Sequence, residues 1–122
     1  MLEIRQEEKG PNILVMGVGG GGNNAINRMI SAELKGVNFA AVNTDIAVLN
    51  NSLAEQKLQI GAKLLNGYGA GANPERGEAA AMENEEDIIN LIADRDMVII
   101  TCGMGGGTGT GAVPFIAKCC KQ

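Results

Sequence analysis

The 122-residue chain is predicted to fold as a parallel α/β sheet. Two apolar runs of strand length, 12–17 and 97–102, each pass straight into a glycine cluster and then into a segment with helical spacing. Strand and helix signals alternate along the chain, a pattern that needs crossover connections and hence parallel pairing. The glycine clusters follow strands, so they fall at the carboxyl ends, where open parallel sheets bind ligands.

Residues 1–11, rich in charge and closing on Gly10-Pro11, read as an N-terminal arm before the first strand. Asn23 or Asn24 can cap a helix whose apolar positions Ile26, Met29, Ile30 and Leu34 share one face, with Gly36 as its stop. A second strand is expected over 37–43, a short helical or irregular piece over 46–57 and a short strand over 58–60. Asn73 and Pro74 then read as the N-cap and first residue of a helix running to about Ala93. On it Ala81, Ile88 and Ile92 share one face, and Glu83, Glu85, Glu86 and Asp87 read as a solvated one. The unbroken apolar run at 97–102 predicts a strand buried on both faces. The last helix places Val113, Ile116, Ala117 and Cys120 at helical spacing, with Pro114 in its first turn.

Composition narrows the function. The length fits one domain able to bury roughly two-thirds of its unfolded surface. The three cysteines form no C-x-x-C pair, so neither a disulfide framework nor a zinc site is supported, and a reducing cytoplasm is the natural setting. No signal-peptide pattern or membrane-length apolar run is present, so no direct membrane insertion is expected. A net charge of −4, no basic stripe and only three aromatic residues argue against a nucleic-acid partner. With no histidine in the chain, chemistry is left to carboxylates, amides and a bound metal ion.

The glycine clusters carry the functional signal. In Gly17-Val-Gly-Gly-Gly-Gly-Asn-Asn24 the lack of Cβ atoms lets backbone N–H groups approach an anion, and the following helix adds its positive end. The alternative is a tight strand-to-helix turn, though four consecutive glycines exceed what a turn requires. Gly17, Gly19 and Gly22 with Asp45 also spell the dinucleotide fingerprint G-x-G-x-x-G plus acid, so an NAD-binding fragment is a competing reading. Gly103-Met-Gly-Gly-Gly-Thr-Gly-Thr-Gly111 is more specific: consecutive amides can form an anion nest to which Thr108 or Thr110 adds a hydroxyl. It lacks the lysine of a P-loop. A third cluster, Gly67 to Pro74, is either a lid on a terminal phosphate or a connector. Asp45 either holds a magnesium ion through water or caps the next helix. Cys102, at a strand end, is either an activated thiol or a small buried hydrophobe.

The string G-G-G-T-G-T-G within 103–111, together with Gly17 to Asn24, Val42-Asn-Thr-Asp45 and Gly69-Ala-Gly-Ala-Asn-Pro74, resembles the FtsZ family of tubulin-like GTPases over about residues 12–122. The resemblance implies a Rossmann-like three-layer parallel sheet, here the truncated N-terminal part of a GTPase domain. It implies that Gly20, Gly21, Gly22, Asn23 and Asn24 face nucleotide phosphates, that Gly105, Gly106, Gly107, Thr108 and Gly109 cradle them, and that Ala70, Gly71, Ala72 and Asn73 approach the γ-phosphate. Asn43 and Asp45 would lie by the nucleotide, with Asp45 near its Mg²⁺. The implied ligands are GTP and GDP, and the implied partners are other FtsZ-like subunits in a head-to-tail filament at the cytoplasmic division site. The family's acidic water-activating loop has no counterpart in these residues, so the chain alone is expected to bind without hydrolysis. A non-catalytic protein that caps filaments of a longer relative is the third reading.

Overall fold

The computed structural model describes residues 11–65, 73–103 and 107–121. Among them four strands, β1 (Ile13–Val18), β2 (Asn38–Asn43), β3 (Gln56–Gln59) and β4 (Met97–Cys102), form one all-parallel sheet in the order β3-β2-β1-β4. The helices are α1 (Gly19–Ser31), α2 (Ile46–Asn50), α3 (Ala62–Leu65), α4 (Pro74–Glu83), α5 (Glu85–Ile92) and α6 (Gly107–Cys120).

Strand alternation builds two cores. Leu14, Met16 and Val18 of β1 turn one way with Ala40 and Val42 of β2, against Ala80, Ala81, Ile88, Ala112 and Ile116 of α4, α5 and α6. Val15, Phe39 and Ala41 turn the other way, against Ile26 of α1 and Leu49 of α2. Three layers result, as expected. The chain leaves β1 toward β2 and β3 on one side, then returns to place β4 on the other. The strand order therefore reverses between β1 and β4, and their carboxyl ends flank a topological switch point.

Several element boundaries differ from the expectation for identifiable reasons. Neither Asn23 nor Asn24 caps α1, which begins at Gly19 with Val18 in the N-cap position and no side-chain cap. The same helix ends at Ser31 rather than Gly36: Leu34 N donates to Met29 O and Glu33 N to Ile30 O, a Schellman closure with Glu33 at φ 61°. Leu34 is consequently outside the helix and half exposed. The third strand starts earlier than expected, at Gln56. The helix expected from Pro74 to Ala93 breaks at Asn84, whose Oδ1 accepts from Gly61 N at 2.8 Å and whose Nδ2 donates to Asp87 at 2.9 Å. Glu83 is more than a solvated acid, since its carboxylate accepts from the amides of Lys63 and Leu64 in α3.

The fourth strand is not buried on both faces. Val98 and Ile100 pack on the larger core, but Met97 and Ile99 are 53% and 44% exposed. Met97 and Ile99 lie toward the amino end of β4, whereas α1 packs on its carboxyl end, where Gly22 meets Thr101 O and Gly21 meets Gly103. In α6 the buried face is Ala112, Ile116 and Cys119, while Cys120 is exposed, and Pro114 lies inside the helix because α6 starts at Gly107. The proline removes the amide that the carbonyl of residue 110 would otherwise receive.

At the amino ends of the strands, Arg95 closes the sheet. Its Nη1 donates to Asn12 Oδ1 and Asn38 Oδ1 at 3.0 and 2.8 Å, and its Nε donates to Leu91 O. Asn12 N donates to Asp96 at 2.6 Å. These bonds tie the starts of β1, β2 and β4 together across a groove of about 550 Å³.

Two outcomes follow from the packing. Ile116→Ala, which empties a fully buried site, should lower unfolding stability by about 2–5 kcal/mol. Met97→Lys at the exposed edge should stay within about 0.5 kcal/mol, and denaturant titration of both variants checks the contrast. Burial, reinforced by Glu85, pushes the Cys119 thiol above its ordinary value of 9.0. The folded chain then holds a proton that the unfolded chain releases, so this contribution is complete below about pH 9 and is lost as pH rises through the folded value. Alkaline melting curves should show that decline, and Cys119→Ala should lessen it, leaving the part due to the Cys120 thiol, which burial also pushes up.

Candidate functional site

Among the described residues, both glycine clusters contribute the start of a helix. The first strand runs through Val18, and Gly19, at φ 77°, opens α1, so Gly20, Gly21 and Gly22 form its first turn. Gly107 and Gly109 lie in the first turn of α6. The two helices begin near the adjacent carboxyl ends of β1 and β4, with the N–H groups of their first turns directed to the switch point.

Backbone contact explains most of the glycines. A methyl group at Gly21 would lie 2.6 Å from Gly103 Cα, and one at Gly17 would lie 2.5 Å from Gly22 O. One at Gly22 would overlap the carbonyl oxygen of Thr101. At Gly109 it would press on Cys102 Cβ and Val18 O at 3.1 and 3.2 Å. Gly111 touches the backbone of Pro74, where even a methyl would overlap the carbonyl. These contacts join the start of α1, the end of β4, α6 and the start of α4 into one backbone-to-backbone assembly. Gly20 is different. It is exposed, its φ is not left-handed, and a methyl there would meet nothing within 4 Å.

Three helix N-termini therefore meet at this end of the sheet. Asn73 caps α4 as expected, its Oδ1 accepting from Glu75 N at 3.0 Å, and Pro74 is the first helical residue. The dipoles of α1, α4 and α6 all present positive ends here, a favourable field for an anion. The described residues of the turns that open α1 and α6 carry no lysine or arginine, while the first turn of α4 holds Glu75 and Arg76.

Asn24 is exposed on α1, beside the glycine turn. Asn23 is 1% exposed and its Nδ2 donates into the fold, to Gly17 O, Gly19 O and Val42 O. Asn43 is buried at the end of β2, its Oδ1 accepting from Thr44 N at 2.8 Å and from Asp45 N at 3.4 Å. Asp45 Oδ1 accepts from Ala47 N at 2.9 Å, so one carboxylate oxygen caps α2. Cys102 is exposed rather than buried, beside Gly109. Ala70, Gly71, Ala72, Gly105 and Gly106 lie outside the described residues. Of Gly107, Thr108 and Gly109, the backbone belongs to α6.

The sequence reading missed Thr101 and Val18, whose carbonyls the glycines Gly22 and Gly109 approach. No side-chain signal could have found them, because their role is played by backbone.

Residues 12–122 match the family model for the Tubulin/FtsZ family, GTPase domain. The fold superposes on an empty FtsZ dimer from M. jannaschii with TM-score 0.91, at 46% identity over 98% of this chain and 35% of that one. An FtsZ point mutant from M. jannaschii gives TM-score 0.89 at 48% identity, over 98% of this chain and 36% of that one. CetZ2 from Haloferax volcanii, described as a GTPγS-bound protofilament, gives TM-score 0.77 at 26% identity, over 88% and 35%. The chain spans about a third of the length of these proteins. With four parallel strands, a switch point closed by glycine backbone and this match over nearly every residue, the chain is a member of the Tubulin/FtsZ family, corresponding to part of its GTPase domain.

Proposed function

We propose that the chain binds the phosphates of GTP or GDP where the first turns of α1, α4 and α6 meet, and that this half-site serves a filament-forming cell-division GTPase. Gly20 carries the reading. A glycine inside a helix costs about 1 kcal/mol relative to alanine, and here neither packing nor backbone conformation asks for one. Close approach of a ligand to the amides of Gly20, Gly21 and Gly22 supplies the reason. On this reading Asn24 flanks the same ligand, Gly105, Gly106, Gly107, Thr108 and Gly109 cradle its phosphates, and Ala70, Gly71, Ala72 and Asn73 reach the terminal one.

The donor set also fits magnesium, in a limited way. No cluster of three or more metal-ligating side chains occurs among the described residues, and Asp45 commits one oxygen to Ala47. Its second oxygen suits an ion carried by the phosphates and reached through water, the usual habit of Mg²⁺. Such an ion would neutralise phosphate charge, which amides and helix dipoles offset only in part. The cap at Asp45 also weighs against the NAD reading, in which that carboxylate would turn to a ribose. Guanine nucleotide is further supported by the GTPγS described in CetZ2.

By family resemblance the acid that activates water belongs to a neighbouring subunit of a head-to-tail filament. We therefore infer that these 122 residues bind nucleotide without turning it over, in the cytoplasm. A GTPase rate matching a filament-forming relative would overturn that inference.

Thermal melting with GDP, GTP, ADP and NAD, with and without magnesium, tests the binding site, because a ligand of the folded state raises apparent stability. Stabilisation by GDP and GTP, with none by ADP or NAD, is expected. A cooperative melt that ignores all four, or responds to NAD alone, would sink the proposal. The glycines sharpen it further: Gly20→Ala should leave the unliganded fold as stable or up to about 1 kcal/mol more so, yet abolish the GDP shift. Gly22→Ala should do the reverse to the fold, costing at least about 1–3 kcal/mol through its clash with Thr101.

A further inference from the structure

We propose that Asn23 is a positioning residue that holds the glycine turn of α1 in register with the sheet, an inference that rests on the phosphate site proposed above. The argument starts from the ladder between β1 and β2. Those strands pair in parallel up to Val18↔Val42, after which β1 turns into α1 and carries its amides away from the sheet. The carbonyl of Asn43 points toward β3, where it accepts from Ile60 N at 2.9 Å. Strand alternation therefore turns the carbonyl of Val42 toward β1, where its pairing with Val18 is the last of the ladder before α1 begins.

Asn23 adds a side-chain donor at this last pair of the ladder. Its Nδ2 donates to Val42 O at 3.3 Å, to Gly17 O at 3.3 Å and to Gly19 O at 2.5 Å. One buried amide thus ties the end of β2 to the last residues of β1 and the first of α1. Three carbonyls around Nδ2 also fix the orientation of the amide, since an oxygen in that place would face three acceptors. The opposite atom, Oδ1, is buried with no partner among the described residues. A buried acceptor left alone is destabilising, so what Asn23 contributes here comes from its donor side. Gly20, Gly21 and Gly22 lie between the two ends of the tie. Their amides can therefore shift only if the bonds from Asn23 break or stretch. The role is distinct from contact with the ligand, which a side chain 1% exposed and turned into the sheet does not make.

Asn23→Asp tests this, because the replacement has the same shape and its donor can be switched by pH. Protonated, the acid donates one O–H toward the carbonyls; ionised, it donates none and sets a charge against three oxygens. Those carbonyls and the burial will push its pKa above the ordinary carboxylate range of about 4. Of the elements packed around position 23, β1 has no ionisable side chain, β2 is followed by Asp45, α1 carries Arg28 and β4 ends in Cys102; none of them bonds to Asn23.

Two readouts are needed. In the ligand-free chain, amide NMR shifts of Gly20, Gly21 and Gly22 in Asn23→Asp should titrate together at that raised value, and the wild type should show no such transition. For GDP, measured on protein verified as folded by circular dichroism, affinity relative to wild type should fall about tenfold at pH 7.5, the equivalent of one lost bond, and recover partly at pH 5.5. Ile116→Val, a core change remote from the turn, controls for general destabilisation and should bind GDP as wild type does. Should Asn23→Asp fail to fold at neutral pH, Asn23→Ser is read in its place, with displaced glycine amides and weakened GDP binding expected. Folded variants whose glycine amides match the wild type would overturn the positioning role, whether or not nucleotide binds. Wild-type protein that ignores GDP while the variant's glycine amides still titrate would instead retire the nucleotide reading and leave the clamp standing.

Discussion

The close approach of backbone to backbone at the switch point governs this fold. β1 and β4 are neighbours, and both hand over to helices at the same end of the sheet. Two helix starts must then occupy space that would normally hold side chains. Gly21 against Gly103, Gly22 against Thr101 and Gly109 against Val18 remove those side chains, and Gly111 does the same where α6 meets α4. Interiors pack near crystal density, so once these contacts are made the relative placement of three helices is set. The glycines give up conformational entropy on folding, and the rigid arrangement of helix ends is what that loss secures.

On the reading proposed above, such a surface would hold anions by a different physics from a lysine-bearing loop. Its donors would be peptide N–H groups at helix starts, already oriented and needing no side-chain ordering when a ligand arrives. Partial charges at helix ends neutralise only part of a polyphosphate's charge. A divalent ion accompanying the ligand is the natural complement, and a chain with a net charge of −4 has little long-range attraction of its own for an anion. Recognition therefore depends on close, well-aligned contact, and small errors in the glycine turn matter more than they would around a flexible lysine.

How much was legible in the sequence follows from which interactions are local. Strand-to-helix alternation and the glycine clusters are local patterns, and they led to the parallel sheet, its three layers and the family. The cap of α4 was equally readable, since Asn73-Pro74 encodes both an N-cap and a first helical residue. Boundaries failed where a distant partner decides. Asn84 interrupts a helical pattern because Gly61, 23 residues earlier, donates to its side chain. Met97 and Ile99 look like core by hydrophobicity, yet they are exposed because among the described residues α1 meets β4 at Thr101 and Gly103, a matter of tertiary packing that hydrophobicity does not encode. Asn23 had the right neighbourhood and a different orientation: an asparagine after glycines resembles a cap, and the carbonyls of Gly17, Gly19 and Val42 turn it inward instead. Ala70 to Ala72, Gly105 and Gly106 lie outside the described residues, so for them the family pattern alone speaks.

The two ends of the sheet are closed by opposite means, and the difference bears on function. At the amino ends, long side chains do the work: Arg95 reaches Asn12 and Asn38, and Asp96 holds Asn12 N. Nearly all of that polar capacity is spent within the protein. At the carboxyl ends, the closure is by glycine backbone, and the only buried side-chain amide that spans the turn, Asn23, aims its donors inward among the described residues. Closing the sheet with backbone contact keeps long side chains away from the first turns of α1 and α6. In α4 the amides of Glu75, Arg76 and Gly77 are taken by Asn73, so on the proposed reading the close approach to a ligand falls to the glycine turns of α1 and α6, and α4 contributes the field of its positive end.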